Sequence, residues 1–116
     1  MAKVAIWIIV TAILSGRAVA TASRRLTEGE ANFLVTNIPV ALTVKRGGGC
    51  PTPDYSPLGP DLALVQLRNT CPRSGSGMLG NYVVDLHSGK IWSDIDRKNE
   101  VDSRHLRTLR KRLTAK

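Results

Sequence analysis

The pattern of apolar and polar residues divides the chain into a short apolar leader and a longer segment of mixed character. Residues 4–14 form an almost unbroken apolar run, and Lys3 places a positive charge in front of it. Small residues follow, and both Ala18-Val19-Ala20 and Ala20-Thr21-Ala22 have the small-x-small form that signal peptidase requires. This arrangement is typical of a secretory signal peptide.

We therefore expect residues 1–22 to be a cleaved signal peptide, with cleavage after Ala20 or Ala22. Residues 23–116 then form a single domain in the periplasm. An uncleaved membrane anchor is the alternative, but the apolar run is short for a hydrocarbon layer about 30 Å thick, and Arg17 interrupts it.

The first part of the domain has the pattern of an amphipathic helix. Thr27-Glu28-Gly29-Glu30 has the form of a capping box, with Thr27 as the N-cap. Apolar residues then recur at the i, i+3, i+4, i+7 spacing of one helix face, namely Ala31, Leu34, Val35 and Ile38. Pro39 ends this helix at or before Ile38.

The middle of the domain alternates in the manner of strands. The pattern predicts four of them, at residues 40–45, 62–68, 82–86 and from 91 onward. Residues 46–60 are rich in Gly and Pro and are expected to form a long loop, and residues 69–80 a second loop. Gly89 suits the positive φ of the turn between the last two strands.

The C-terminal part reads as a second helix, from Ser103 to about Leu113, with Asp102 as its cap and Val101 placed to pack on Leu106. Its apolar stripe consists of Leu106, Leu109 and Leu113. The predicted order is α-β-β-β-β-α. The fold class is therefore α+β, with a four-stranded antiparallel sheet and both helices packed on it.

The charge is strongly positive, at +8 for the whole chain. Loss of Lys3 and Arg17 would leave fifteen basic and nine acidic residues, a net charge of +6. The basic residues are dense from Arg104 to Lys116, and outside the cytoplasm such a surface suits anionic lipid, cell-wall polymer or an acidic protein. Export argues against a nucleic-acid partner. Few aromatic residues remain after cleavage, so we expect no large aromatic-lined ligand cavity.

The domain holds two cysteines, Cys50 and Cys71. An even number in a small exported domain predicts a disulfide. Closing a loop of about 22 residues would stabilise the fold by roughly 3 kcal/mol in the chain-entropy model. A metal pair or a catalytic thiol is the alternative, but neither a CxxC spacing nor a neighbouring His supports it.

Several patterns that carry chemistry elsewhere lack their context here. Residues 75–80 match G-x-G-x-x-G, but strand-like residues follow where a nucleotide-binding loop needs a helix. His87 and His105 are dispersed, in a turn and a surface helix, and complete no nucleophile–base–acid set. The acidic stretch 94–102 lacks the Gly of a calcium loop and is expected to be a solvated connector. We therefore expect no enzyme activity, no metal and no cofactor.

Two resemblances to known families are apparent. The hairpin at residues 82–92, with its Val84-Asp85-Leu86-His87-Ser88-Gly89-Lys90 core, is similar to the V-D-x-x-T-G-x-v hairpin of PepSY-type modules, with Ser88 where Thr is usual. The overall layout resembles small periplasmic immunity proteins that neutralise type VI secretion amidase effectors. That resemblance implies a protein partner, a cell-wall peptide amidase whose Cys-His site the immunity protein occludes. Some PepSY-type modules are protease inhibitors, which agrees with an inhibitory role.

Our hypothesis is an exported inhibitor whose disulfide-pinned loop enters the cleft of a secreted hydrolase. The candidate loops are residues 46–54 and 73–79. The candidate partner-binding residues are Arg46, Tyr55, Arg73, Ser74, Ser76 and Met78. The alternative is an envelope-binding module that uses its basic C-terminal helix against anionic lipid or cell-wall polymer. The sequence leaves open whether the domain forms a homodimer.

Overall fold

The computed structural model describes residues 24–71 and 77–115. The helices are α1 (Glu28–Val35), α2 (Pro39–Arg46) and α3 (Arg104–Thr114), and the strands are β1 (Pro51–Pro57), β2 (Leu62–Asn69), β3 (Gly77–Asp85), β4 (Ile91–Trp92) and β5 (Glu100–Val101). The expected signal peptide lies outside the described residues and stays a prediction. Among the described helices, none has the length and apolar character needed to cross a bilayer.

The capping box predicted for α1 is confirmed. The Thr27 hydroxyl accepts a hydrogen bond from the Glu30 N–H at 3.1 Å, and the Glu30 carboxylate accepts one from the Thr27 N–H at 2.9 Å. The hydrogen bond from the Thr27 backbone, helped by the nearby Arg24 charge, lowers the pKa of Glu30. The helix buries Ala31, Leu34 and Val35, as the apolar spacing predicts.

The strand predicted at residues 40–45 is wrong, because this segment forms α2. Pro39 is the first residue of the helix, where its missing N–H costs nothing and its φ is already suitable. Only Ala41 within α2 is fully buried, and Val40 is 39% exposed. The alternation of apolar residues therefore does not report a sheet face here.

The predicted loop at residues 46–60 is also wrong in its centre, because Pro51–Pro57 forms the edge strand β1. It pairs antiparallel with β2 over its whole length, from Pro51 opposite Asn69 to Pro57 opposite Ala63. Pro51, Pro53 and Pro57 occupy alternate positions, so their missing N–H groups fall on one side of the strand. An edge strand tolerates this because one side of its backbone needs no partner.

The sheet has five antiparallel strands in the order of the chain, instead of the four expected. Two strands, β1 and β5, were not expected, and one expected strand, at residues 40–45, is a helix. The α+β class and the antiparallel sheet are confirmed. One face of the sheet packs against the helices, and its buried residues are Ala63, Val65, Leu67, Tyr82, Val84 and Ile91. These meet a helical layer formed by Ala31, Leu34, Val35, Ile38, Ala41, Leu106 and Leu109.

The last helix follows the prediction except at its cap. Ser103, not Asp102, is the N-cap, and its hydroxyl accepts a hydrogen bond from the Leu106 N–H at 3.0 Å. Asp102 instead forms an ion pair with Arg107 at 2.6 Å. The stripe is confirmed, since Leu106 and Leu109 are buried in the core. Leu113, its third member, packs at the edge of the core.

The turn between β3 and β4 lies against α3. Gly89 has a φ of 77°, which confirms the predicted positive φ. A Cβ atom at this position would lie 2.7 Å from Cγ of Arg110, so a residue other than glycine would require the Arg110 side chain to move. Glycine therefore serves both the turn and the contact between the turn and α3.

Candidate partner-binding surface

The second face of the sheet carries no residue of the helical core, and we call it the open face. Residues that alternate with the buried ones point to this side, and the strand register places five of them in one row across the sheet. The row consists of Ser56, Leu64, Val83, Trp92 and Glu100. Val83 is only 1% exposed, and its neighbours Leu64 and Trp92 are half-buried. The row therefore has an apolar centre and polar ends.

A structured loop places a cation beside this centre. The Arg97 guanidinium lies 5.8 Å from the centroid of the Trp92 ring, within the range of a cation–π contact. The Asp94 carboxylate accepts hydrogen bonds from the N–H groups of Lys98 at 3.1 Å and Asn99 at 3.0 Å, and these bonds order the loop. Ile95, in the same loop, is 70% exposed. Trp and Arg are enriched among residues that dominate protein interfaces.

The cystine lies at one end of the sheet, where β2 ends and β1 begins. Cys50 and Cys71 form the predicted disulfide, with their Cα atoms 5.1 Å apart. Asn69 is 6% exposed, and its Oδ1 accepts hydrogen bonds from the N–H of Cys50 at 2.9 Å and of Cys71 at 3.3 Å. One side-chain oxygen therefore joins the backbone on both sides of the cystine.

The residues beside the cystine reinforce this end. The Thr52 and Thr70 hydroxyls are hydrogen-bonded at 2.8 Å, and the Thr70 N–H donates to the Cys50 carbonyl at 3.1 Å. Gly49 packs so closely that an added Cβ would lie 2.4 Å from a methyl carbon of Val44 and 3.3 Å from Oδ1 of Asn69. The connection from α2 to β1 is therefore held against the end of β2. We call this region the cystine end.

The predicted partner-binding residues do not form one cluster. Met78 is 54% exposed and pairs with Arg68 at the cystine end. Arg46 ends α2, three residues before Gly49, and its guanidinium donates to the Thr43 hydroxyl at 3.3 Å. Tyr55 pairs with Val65 and packs against the helical core, on the face opposite to Met78.

Arg73, Ser74 and Ser76 lie outside the described residues and stay predictions. Sequence reasoning did not single out Trp92, Arg97 or Ile95. The alternation of Ile91 and Trp92 was the available signal, since it sends the two side chains to opposite faces of a strand.

The two histidines have separate partners. His87 Nε2 lies 2.7 Å from Asp61 Oδ1, and the hydrogen bond to this carboxylate raises the pKa of His87. His105 Nε2 lies 3.2 Å from Asn37 Oδ1, between α3 and the end of α1. Within residues 24–71 and 77–115, no three His, Cys, Asp or Glu side chains converge in the manner of a metal site.

Comparison with known proteins finds a structural likeness only. No family model matches the chain, and no curated protein matches it in sequence. Among solved structures, the chain is similar to one in a structure of a type VI secretion system effector-immunity complex from Pseudomonas protegens. The TM-score is 0.52 and the identity 22%, over 79% of this chain and 80% of that chain. The resemblance expected from the layout of the sequence is thus confirmed at the level of the fold.

Proposed function

We propose that this chain is an exported immunity protein that binds a secreted hydrolase effector and blocks its active site, with a cell-wall amidase as the target. The observation that carries the proposal is the shared fold with a chain from an effector-immunity complex over 79% of the present chain. The disulfide supports it, since disulfides persist in oxidising compartments such as the periplasm. The leader-like residues 1–22 support export to the same place.

The cystine end suits occlusion because its backbone is already ordered. The disulfide, the Asn69 carboxamide and the pair of threonine hydroxyls hold three segments together before any partner binds. A surface that is rigid in the free protein loses less conformational entropy on binding. The open face begins at this end with Met78 and continues to Trp92, which provides an adjacent contact area.

The direct test is stoichiometric inhibition. The chain is purified with the product of an adjacent gene, and hydrolysis of peptidoglycan is measured as the chain is added. We expect activity to fall linearly and to vanish at one chain per hydrolase. The proposal is wrong if no adjacent product binds, or if the chain alone turns over a wall substrate.

Two substitutions locate the contact. Met78→Ala and Arg73→Ala should each weaken the complex by about 1–2 kcal/mol, which is roughly a 5- to 30-fold rise in Kd. Phe33→Ala is the matched control, because Phe33 is 47% exposed on α1, a helix that packs on the face of the sheet opposite to Met78. Equal affinity for all three variants would place the contact elsewhere.

Export has its own test. The mature protein from a Gram-negative host should begin at Thr21 or Ser23, which intact mass determines directly. Retention of Met1 in a cytoplasmic product would contradict the assignment of the leader.

The second candidate function is an envelope-binding module, and the basic surface of α3 favours it. Arg104, Arg107, Lys111 and Arg112 are all exposed. Binding to an anionic polymer through several cations weakens steeply with salt. Capture of wall fragments or anionic liposomes with that dependence, and of no protein, would favour this function over inhibition.

A further inference from the structure

A groove runs between α3 and the turn that joins β3 to β4. Its lining consists of Ser88 from the turn and Arg104, Arg107, Thr108, Arg110, Lys111 and Thr114 from the helix. Intervals of three and four residues place these helical side chains on one stripe. At 1.5 Å per residue the stripe is about 15 Å long. We call this feature the basic groove.

The positive charge of the basic groove is only partly balanced. Its four cations face two carboxylates, since Asp102 pairs with Arg107 at 2.6 Å and with Arg110 at 3.5 Å, and Glu100 pairs with Arg110 at 3.7 Å. Arg104 and Lys111 have no acidic partner among the described residues. The groove therefore keeps an excess of two positive charges.

The Arg110 side chain also lacks part of its hydrogen bonding. It is 14% exposed, and its Nη1 is buried without a hydrogen bond within the described part of the chain. The ion pair with Glu100 is too long to serve as a hydrogen bond. A buried guanidinium with incomplete partners favours an additional anion nearby.

Helix stability accounts for Lys111, which lies in the last turn of α3 where the helix dipole favours a cation, but it does not account for Arg104. Arg104 is the first residue of α3, and the first turn contains no acidic residue. The positive end of the helix dipole disfavours a cation there. The core does not need these side chains either, because Leu106 and Leu109 make the helix's buried contacts. Arg104 therefore costs helix stability, and an anionic partner is a better explanation for it.

The structure favours a protein over a lipid surface as that partner. A helix that binds membranes inserts its apolar face, but the apolar stripe of α3 is buried in the core. Among the described residues, the exposed large apolar side chains lie outside α3, at Phe33, Val40, Leu58, Met78 and Ile95. The groove is also walled by a turn that Gly89 holds against Arg110, so it suits an inserted segment better than a flat surface.

We infer that the hydrolase effector carries a segment of clustered Asp and Glu residues that docks in the basic groove, between α3 and the turn at Ser88. This inference rests on the proposed function. It gives the partner a chemical signature, which is a run of carboxylates that spans about 15 Å. The two unpaired cations, Arg104 and Lys111, are the expected contacts, and Arg110 supplies positive potential beneath them.

The test compares two charge reversals. The double variant R104E/K111E reverses the two groove cations, and K45E/R112E is the control, because Lys45 and Arg112 are exposed and lie outside the groove lining. Kd and kon for the effector are measured at 50 and 300 mM salt. We expect R104E/K111E to raise Kd by roughly 30-fold or more, mainly through kon at low salt, and the control to change it by less than about threefold. Circular dichroism should show that both variants are folded under the conditions of the binding assay.

A charge swap on the effector strengthens the result. Replacing the effector's acidic residues with Lys should restore binding to R104E/K111E. If the wild type binds the effector and R104E/K111E binds it equally well, the inference is wrong while the proposed function stands. If the wild type binds no effector, both fail. If R104E/K111E loses only affinity for vesicles that contain 30% phosphatidylglycerol, the groove is a membrane contact and the inference is overturned.

Discussion

The role of Asn69 gives the sharpest test of how the cystine end is held together. Asn69→Ala removes the oxygen that accepts the N–H groups of Cys50 and Cys71, at 2.9 and 3.3 Å. Both bonds are partly buried, so each donor left without its acceptor costs about 1 kcal/mol, at the low end for such groups. With the lost packing of the carboxamide, we expect the free energy of unfolding to fall by about 2–3 kcal/mol.

Urea unfolding followed by circular dichroism measures this change. With a denaturant slope of about 1.2 kcal/mol per M for a small domain, the midpoint should fall by about 2 M. Asn81→Ala is the matched control, because Asn81 is an exposed asparagine on the open face of β3, and its change should stay within about 0.5 kcal/mol. The reasoning is refuted if Asn69→Ala and Asn81→Ala unfold at the same midpoint while the disulfide is intact.

Three further outcomes follow from the structure. Cys71→Ser should lower stability by about 2–4 kcal/mol in urea unfolding, and free-thiol labelling of the wild type should find no reactive thiol without reductant. NMR titration should place the pKa of His87 above its ordinary value, and Asp61→Asn should return it. The interaction between protonated His87 and Asp61 therefore stabilises the fold below about pH 6.5, and this stabilisation is lost as the pH rises through the pKa of His87 in the folded state. The pKa of Glu30 is lowered in the folded state, so its capping interaction stabilises the fold above the ordinary Glu pKa, and this stabilisation is lost as the pH falls through the folded-state pKa. Glu30→Gln should reduce this loss of stability in acid, which unfolding curves measured between pH 7 and 2 would detect.

Local signals in the sequence determined those elements whose stabilising contacts are close along the chain. The capping box at Thr27 and the leucine stripe of α3 each depend on residues three or four positions apart. The turn at Gly89 needs only one residue with a positive φ. The disulfide also followed from the sequence, because two cysteines in a chain allow one pairing. For the two helices and the turn, the sequence pattern and the structure reflect the same short-range contacts.

Tertiary structure decided the remaining elements, because their sequence patterns are compatible with more than one structure. A proline can follow the end of one helix or begin the next, and here α1 ends at Val35 while Pro39 is the first residue of α2. The alternation of residues 40–45 alone could not distinguish a strand from this helix. The prolines of β1 predict a loop from the sequence, but in the structure β2 pairs with one side of this segment and the other side of its backbone needs no strand partner, so it forms an edge strand. The cystine end and the basic groove arise only when distant segments meet, as Asn69 meets Cys50 and Ser88 meets α3. Their chemistry depends on distances in space, which periodicity along a chain does not encode.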